Sequence, residues 1–216
     1  MLRLTTLPDI CRCKWFTSKV NPEVCSPAGF CRDCASLGKH LTFGYLESRD
    51  ARAAVESLSQ LVPGERIGAI GCSLGGAAII LGEEPLRVDA VVLEAVYPTI
   101  AEAVANRVRM RLGSLSDILT PALLAQLDWR LGITPDDLRP LEKIQSLHSP
   151  VLVIAGAEDK HTLLAESKRL FDAASEPKEF WVIEGAAHVD FYAFAREAYA
   201  QRILSFFEKY LRSNTN

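Results

Sequence analysis

Gly71-Cys72-Ser73-Leu74-Gly75 has the pattern Gly-x-Ser-x-Gly. Glycines on both sides let a chain turn tightly enough to lift a serine hydroxyl clear of its surroundings. A hydroxyl is a weak nucleophile until a base takes its proton, and the base needs an acid to fix its tautomer. Both partners stand downstream: Asp159 follows the apolar run Val151-Leu-Val-Ile-Ala155, and His188 follows Phe180-Trp-Val-Ile183 through Glu184-Gly-Ala-Ala. The predicted trio is Ser73 as nucleophile, Asp159 as orienting acid and His188 as base, with Glu158 as the substitute acid. The Leu74 N–H is the expected oxyanion donor, because a helix N-terminus offers free amides and partial positive charge. His40 precedes the regular part of the chain, His148 precedes its strand, and His161 is too near Asp159 in sequence to bridge to Ser73. A five-residue pattern alone is equally compatible with a turn capped by a serine; the ordered aspartate and histidine tip the balance to acyl transfer.

Such residues must be positioned by elements that recur along the chain. Ala51, Ala54, Val55, Leu58 and Leu61 share one helical face, and Pro63-Gly64 ends that run. Arg66-Ile-Gly-Ala-Ile70 reads as a buried strand, followed by the glycine-rich turn and a helix over 74–81. Further strands are expected at 90–93, 151–155 and 180–183, with a helix over 163–174 between the last two. Strands alternating with helices imply a parallel sheet covered on both faces, with function at the carboxyl ends of the strands. In the helix over 194–211, Ile203, Phe206, Phe207 and Tyr210 have core spacing and read as packing, not as a cofactor box. Residues 98–147 are helical in pattern but broken by Gly113, Pro121, Gly132, Pro135 and Pro140, which suggests an inserted cap.

The 216 residues suit one domain, and 49% hydrophobic against 24% charged residues marks a chain that folds. A net charge of -3 gives no basis for attraction to nucleic acid or anionic lipid. The first residues lack the apolar run of a signal peptide and no stretch suits a membrane span, so the cytoplasm is the expected compartment. Cys11, Cys13, Cys25, Cys31 and Cys34 crowd residues 1–40, which carry no sustained period and receive no assigned element. Cys31-Arg-Asp-Cys34 with Cys11-Arg-Cys13 lacks the paired knuckles of a zinc ribbon, so reduced thiols are preferred and no metal is expected. Cys72 reads as a small residue at the variable position of the turn.

Taken together, the Ser73 turn, Gly156-Ala-Glu-Asp159 and Gly185-Ala-Ala-His188-Val-Asp resemble the α/β-hydrolase superfamily. More narrowly they are similar to bacterial hydrolases related to serine aminopeptidases and their esterase-like kin, over residues 41–211. The resemblance implies an α/β-hydrolase fold spanning 41–216, with Gly71 and Gly75 flanking the nucleophile elbow and residues 98–147 forming a helical lid. It implies no cofactor. The segment starting Phe43-Gly-Tyr-Leu-Glu-Ser-Arg-Asp resembles the helix ahead of the elbow strand. The front departs from the family: its early strands and its His-Gly oxyanion loop have no counterpart, and the second oxyanion donor is unassigned. The elbow strand is then expected at the edge of a four-stranded sheet, where an open apolar edge invites a homodimer. Residues 1–40 read as an out-of-register segment, a cover for that edge, or a metal-binding knob. The expected function is hydrolysis of a small ester or amide; the alternatives are a silent member acting by binding and a zinc-stabilised interaction module.

Overall fold

The computed structural model describes residues 41–212 and the backbone of a strand at Cys13–Thr17. That strand, β1, begins a five-stranded sheet completed by β2 (Ile67–Cys72), β3 (Ala90–Glu94), β4 (Val151–Gly156) and β5 (Lys178–Ile183), in the order β1-β2-β3-β4-β5. Strands β2 to β5 are parallel, with Cys72 opposite Glu94, Glu94 opposite Ile154, and Gly156 opposite Ile183. Their ends are therefore level, and the loops that leave them emerge on one side of the sheet.

The strands form where continuous apolar runs can be buried from both faces. Every residue of β3 and β4 is buried. One face is covered by α1 (Glu47–Leu61), α2 (Leu74–Ile80) and α7 (Leu164–Ala173), through Ala51, Val55 and Leu58, Ala77 and Ile79, and Leu170. The other is covered by α9 (Arg196–Leu211), which buries Tyr199, Ile203, Phe206, Phe207 and Leu211. Burial of each of the valine, leucine, isoleucine and phenylalanine side chains among them stabilises by roughly 1.5–3 kcal/mol. Gly68 of β2 is required here: a Cβ on it would lie 2.5 Å from Phe207 Cε1. Two expected core residues differ. Leu61, the last residue of α1, is 61% exposed, and Tyr210 is half-buried, packing edge-on against Phe206.

Between β3 and β4 run α3 (Ile100–Leu112), α4 (Ser116–Leu124), α5 (Gln126–Leu131) and α6 (Pro140–Lys143), joined by short 3-10 turns. A single helical turn, α8 (Phe191–Phe194), precedes α9. Among the described residues no helix is long and apolar enough to cross a membrane.

The elbow strand is not at the edge of a four-stranded sheet, which corrects the sequence expectation. β1 pairs with it antiparallel, Cys13 opposite Gly71 through Thr17 opposite Ile67. The N–H and C=O groups along β2 would otherwise be unpaired inside an apolar sheet, and an extended segment of the same chain satisfies them. Thus the open edge on which the homodimer expectation rested is filled from within, at least along β2. The cysteine side chains of residues 1–40, and with them the zinc knob, lie outside the described residues, as does His40; among the described residues no cluster could hold a metal ion.

Candidate active site

Ser73 occupies the single step between β2 and α2, at φ 49° and ψ -112°. A positive φ costs a residue with a Cβ on the order of 1 kcal/mol, so the turn must be held by its surroundings. It is. The Ser73 N–H donates to Glu94 O (2.7 Å), and its C=O accepts from Ala77 N (3.1 Å). Close packing also needs glycine: a Cβ on Gly71 would lie 2.5 Å from Gly76 Cα, and one on Gly76 would lie 2.2 Å from Val96 Cγ2 and 2.9 Å from Gly71 O. Sequence reasoning named Gly71 and Gly75 but missed Gly76, whose role follows from a neighbour on a different strand end. Leu74, the expected oxyanion donor, is the first residue of α2, where a backbone N–H has no intrahelical acceptor.

Asp159 and His188 leave the ends of β4 and β5. The sheet ladder continues into their loops, since Ala157 N donates to Ile183 O (3.0 Å) and Glu158 N to Ala186 O (2.9 Å). This approach depends on Gly156, where a Cβ would lie 2.4 Å from Ala186 O. The result is a hydrogen bond of 2.7 Å between His188 Nδ1 and Asp159 Oδ2, with side-chain exposures of 14% and 1%. The other carboxylate oxygen, Oδ1, accepts from the backbone N–H of His161 (2.7 Å) and of Thr162 (3.0 Å). Glu158 is exposed and the contact to His188 belongs to Asp159. Ser73, half-buried, stands at the same end of the sheet; its hydroxyl makes no hydrogen bond among the described residues. Such bonds commonly tighten only once substrate is present.

Three further groups surround the site. The His161 ring lies 5.0 Å from that of His188, and its Nδ1 is buried without a partner. Burial, then the nearby His188 and Arg107, hold the His161 imidazole below its ordinary pKa. Glu94, buried at the end of β3, accepts from the Tyr199 hydroxyl, and burial followed by that carboxylate pushes the phenol far up. Asn106 of α3 donates to Glu166 Oε1 (2.8 Å) and Oε2 (3.0 Å) and to His161 O (3.3 Å), while Glu166 Oε2 accepts from Leu163 N (2.9 Å). No motif marks these groups. Cys72 is half-buried beside Ser73, and His148 is exposed on the loop before β4.

The chain is 37% identical over 144 residues to the uncharacterized protein Rv2307c of Mycobacterium tuberculosis, covering 65% of this chain and 45% of that one. It is 25% identical over 182 residues to the uncharacterized protein YqkD of Bacillus subtilis, covering 80% and 58%. It therefore spans about half the length of the curated relatives it matches. No protein-family model matches it. Among solved structures, an esterase of Pyrococcus furiosus aligns with a TM-score of 0.64 at 23% identity, over 81% of this chain and 66% of that one. The esterase domain of a Rhodothermus marinus protein aligns with a TM-score of 0.54 at 20% identity, over 76% and 69%. The parallel sheet, its flanking helices and these likenesses show the α/β-hydrolase fold.

Proposed function

We propose that the protein is a serine hydrolase that cleaves an ester or amide bond through Ser73, His188 and Asp159. The observation that carries this reading is the Asp159 to His188 hydrogen bond, held at the end of the sheet where the strained elbow presents Ser73. With Asp159 accepting at Nδ1, the neutral imidazole carries its proton there and keeps Nε2 as the basic nitrogen. His188 Nε2 takes the Ser73 proton as Oγ attacks the carbonyl carbon. The Leu74 N–H stabilises the oxyanion, aided by the start of α2. Collapse of the tetrahedral intermediate expels the leaving group with the proton from His188. Water, deprotonated by the same nitrogen, then clears the acyl-enzyme. Asp159 stays ionised and stabilises the imidazolium through both half-reactions.

The esterase names of the structural neighbours support this reading at the level of reaction class. The test is labelling of folded protein with a fluorophosphonate probe, comparing wild type with Ser73→Ala. Labelling that disappears in Ser73→Ala while both proteins unfold cooperatively is the expected result. A folded wild type that takes no probe overturns it and leaves a silent fold member acting by binding.

A further inference from the structure

Asn106 pins the middle of α3 to the loop that follows Asp159, and thereby brings the charges of α3 to the site. Four carboxylates at this junction are engaged. Asp159 is taken by His188 and two backbone amides, Glu166 by Asn106 and Leu163 N, Glu102 by Arg169, and Asp117 by Arg109. Two of the cations, Arg107 and Arg111, are not. Arg107, next in the chain to Asn106, donates from Nη1 to Ala103 O of its own helix (2.9 Å) and has no carboxylate within ion-pair distance among the described residues. The same is true of Arg111, which lies one turn further on the same helix face. Both charges bear on the site: each disfavours protonation of His161, and Arg107, whose own pKa burial lowers, is drawn back up first by Asp159 and then by Tyr97 and Glu166. His161 adds a ring nitrogen that is buried and unpartnered, on a ring 5.0 Å from that of His188.

We infer that Arg107, Arg111 and His161 form an anion subsite beside His188, and that the preferred substrate carries a carboxylate a short way from its scissile carbonyl. This rests on the serine-hydrolase reading. A monoester of a short dicarboxylic acid has that chemistry: its ester carbonyl meets Ser73, and its free carboxylate takes the fork of donors that an arginine offers. A neutral ester of similar length leaves those donors unanswered.

The decisive comparison is kcat/KM for monomethyl glutarate against methyl valerate, read as acid released above the uncatalysed background. It is made in wild type, Arg107→Gln, Arg107→Lys and Arg111→Gln, with probe labelling of each protein in parallel. Wild type should favour the anionic ester, and the anionic-to-neutral ratio should fall about tenfold or more in each glutamine variant, the size expected for loss of a hydrogen bond to a charged group. Arg107→Lys should recover part of the ratio. A ratio that stays put in both glutamine variants, or a wild type that favours the neutral ester, overturns the subsite while labelling at Ser73 keeps the hydrolase reading. A wild type that neither takes the probe nor cleaves either ester sinks both.

Discussion

Replacing Asp159 by Asn separates the geometry of the site from its charge, and the surroundings dictate how the new side chain must sit. Asp159 Oδ1 accepts two backbone N–H groups, from His161 and Thr162, and Oδ2 faces His188 Nδ1. Asparagine has one acceptor oxygen and one NH2 donor. If the oxygen stays with the two amides, the NH2 faces His188 Nδ1, which can then only accept. The proton moves to Nε2, and the base that Ser73 needs is gone. If the amide flips, His188 keeps its tautomer but the NH2 confronts two backbone N–H donors, and the buried one, of Thr162, loses its acceptor at about 1–3 kcal/mol. The first arrangement is favoured, so the fold survives and catalysis does not.

The expected loss in kcat/KM for Asp159→Asn is therefore about 10,000-fold, the size seen when an orienting aspartate in a serine triad is made an asparagine, with a urea midpoint close to wild type. Asp159→Ala should differ in the opposite respect as well, losing activity and also about 1–3 kcal/mol or more of stability, because the amides of His161 and Thr162 lose their acceptor. Ester hydrolysis at pH 8 and urea unfolding of the two variants measure both quantities. An Asp159→Asn protein within tenfold of wild-type activity would refute the role assigned to this carboxylate.

Gly76→Ala should cost about 1–3 kcal/mol in urea unfolding and abolish probe labelling, because its Cβ would meet Val96 Cγ2 at 2.2 Å; adding Val96→Ala should restore part of both, and no effect of Gly76→Ala would contradict the packing. For His161, whose pKa in the fold is lowered by burial and then by His188, Arg107 and Arg111 against the opposing Asp159, the unfolded chain binds the proton first as pH falls. Its contribution to stability is present above the ordinary histidine pKa and is lost as pH drops through the lowered one, so Tm should fall more steeply from pH 7.5 to pH 5.5 in wild type than in His161→Gln; equal slopes would exclude it.

What the sequence makes legible follows from physical periodicity. β2, β3 and β4 are short apolar runs because both of their faces are buried, and the chemistry follows each strand because the loops leave at one end of a parallel sheet. The positions of Ser73, Asp159 and His188 after their strands were readable on that basis. β1 was not: Trp15, Phe16 and Thr17 are strand-forming types, but five residues among cysteines and prolines carry no period, and their pairing with β2 is a tertiary event. Equally hidden were the contacts between Asn106 and Glu166, 60 residues apart, and between Tyr199 and Glu94, 105 apart. Nothing local distinguishes these polar residues from solvent-facing ones until the fold buries them.

Those hidden contacts bind the site into one unit. The Ser73 N–H is tied to Glu94 O, and the next residue, Ala95, bends β3 away at φ 47°, a conformation that costs a residue with a Cβ on the order of 1–2 kcal/mol. That bend is held by Ala95 N donating to Ile154 O (3.0 Å) and by Thr162 Oγ1 donating to Ala95 O (3.2 Å). Thr162 belongs to the loop whose amides grip Asp159, and Asn106 holds the same loop from α3. Elbow, β3 turn, acid loop and α3 thus share a chain of hydrogen bonds. A change in α3 reaches Asp159 through His161 O and Glu166, whereas its hydrogen-bonded path to Ser73 runs through the further steps of Thr162, Ala95 and Glu94. Loosening α3 should therefore disturb the orientation of His188 before it disturbs the elbow.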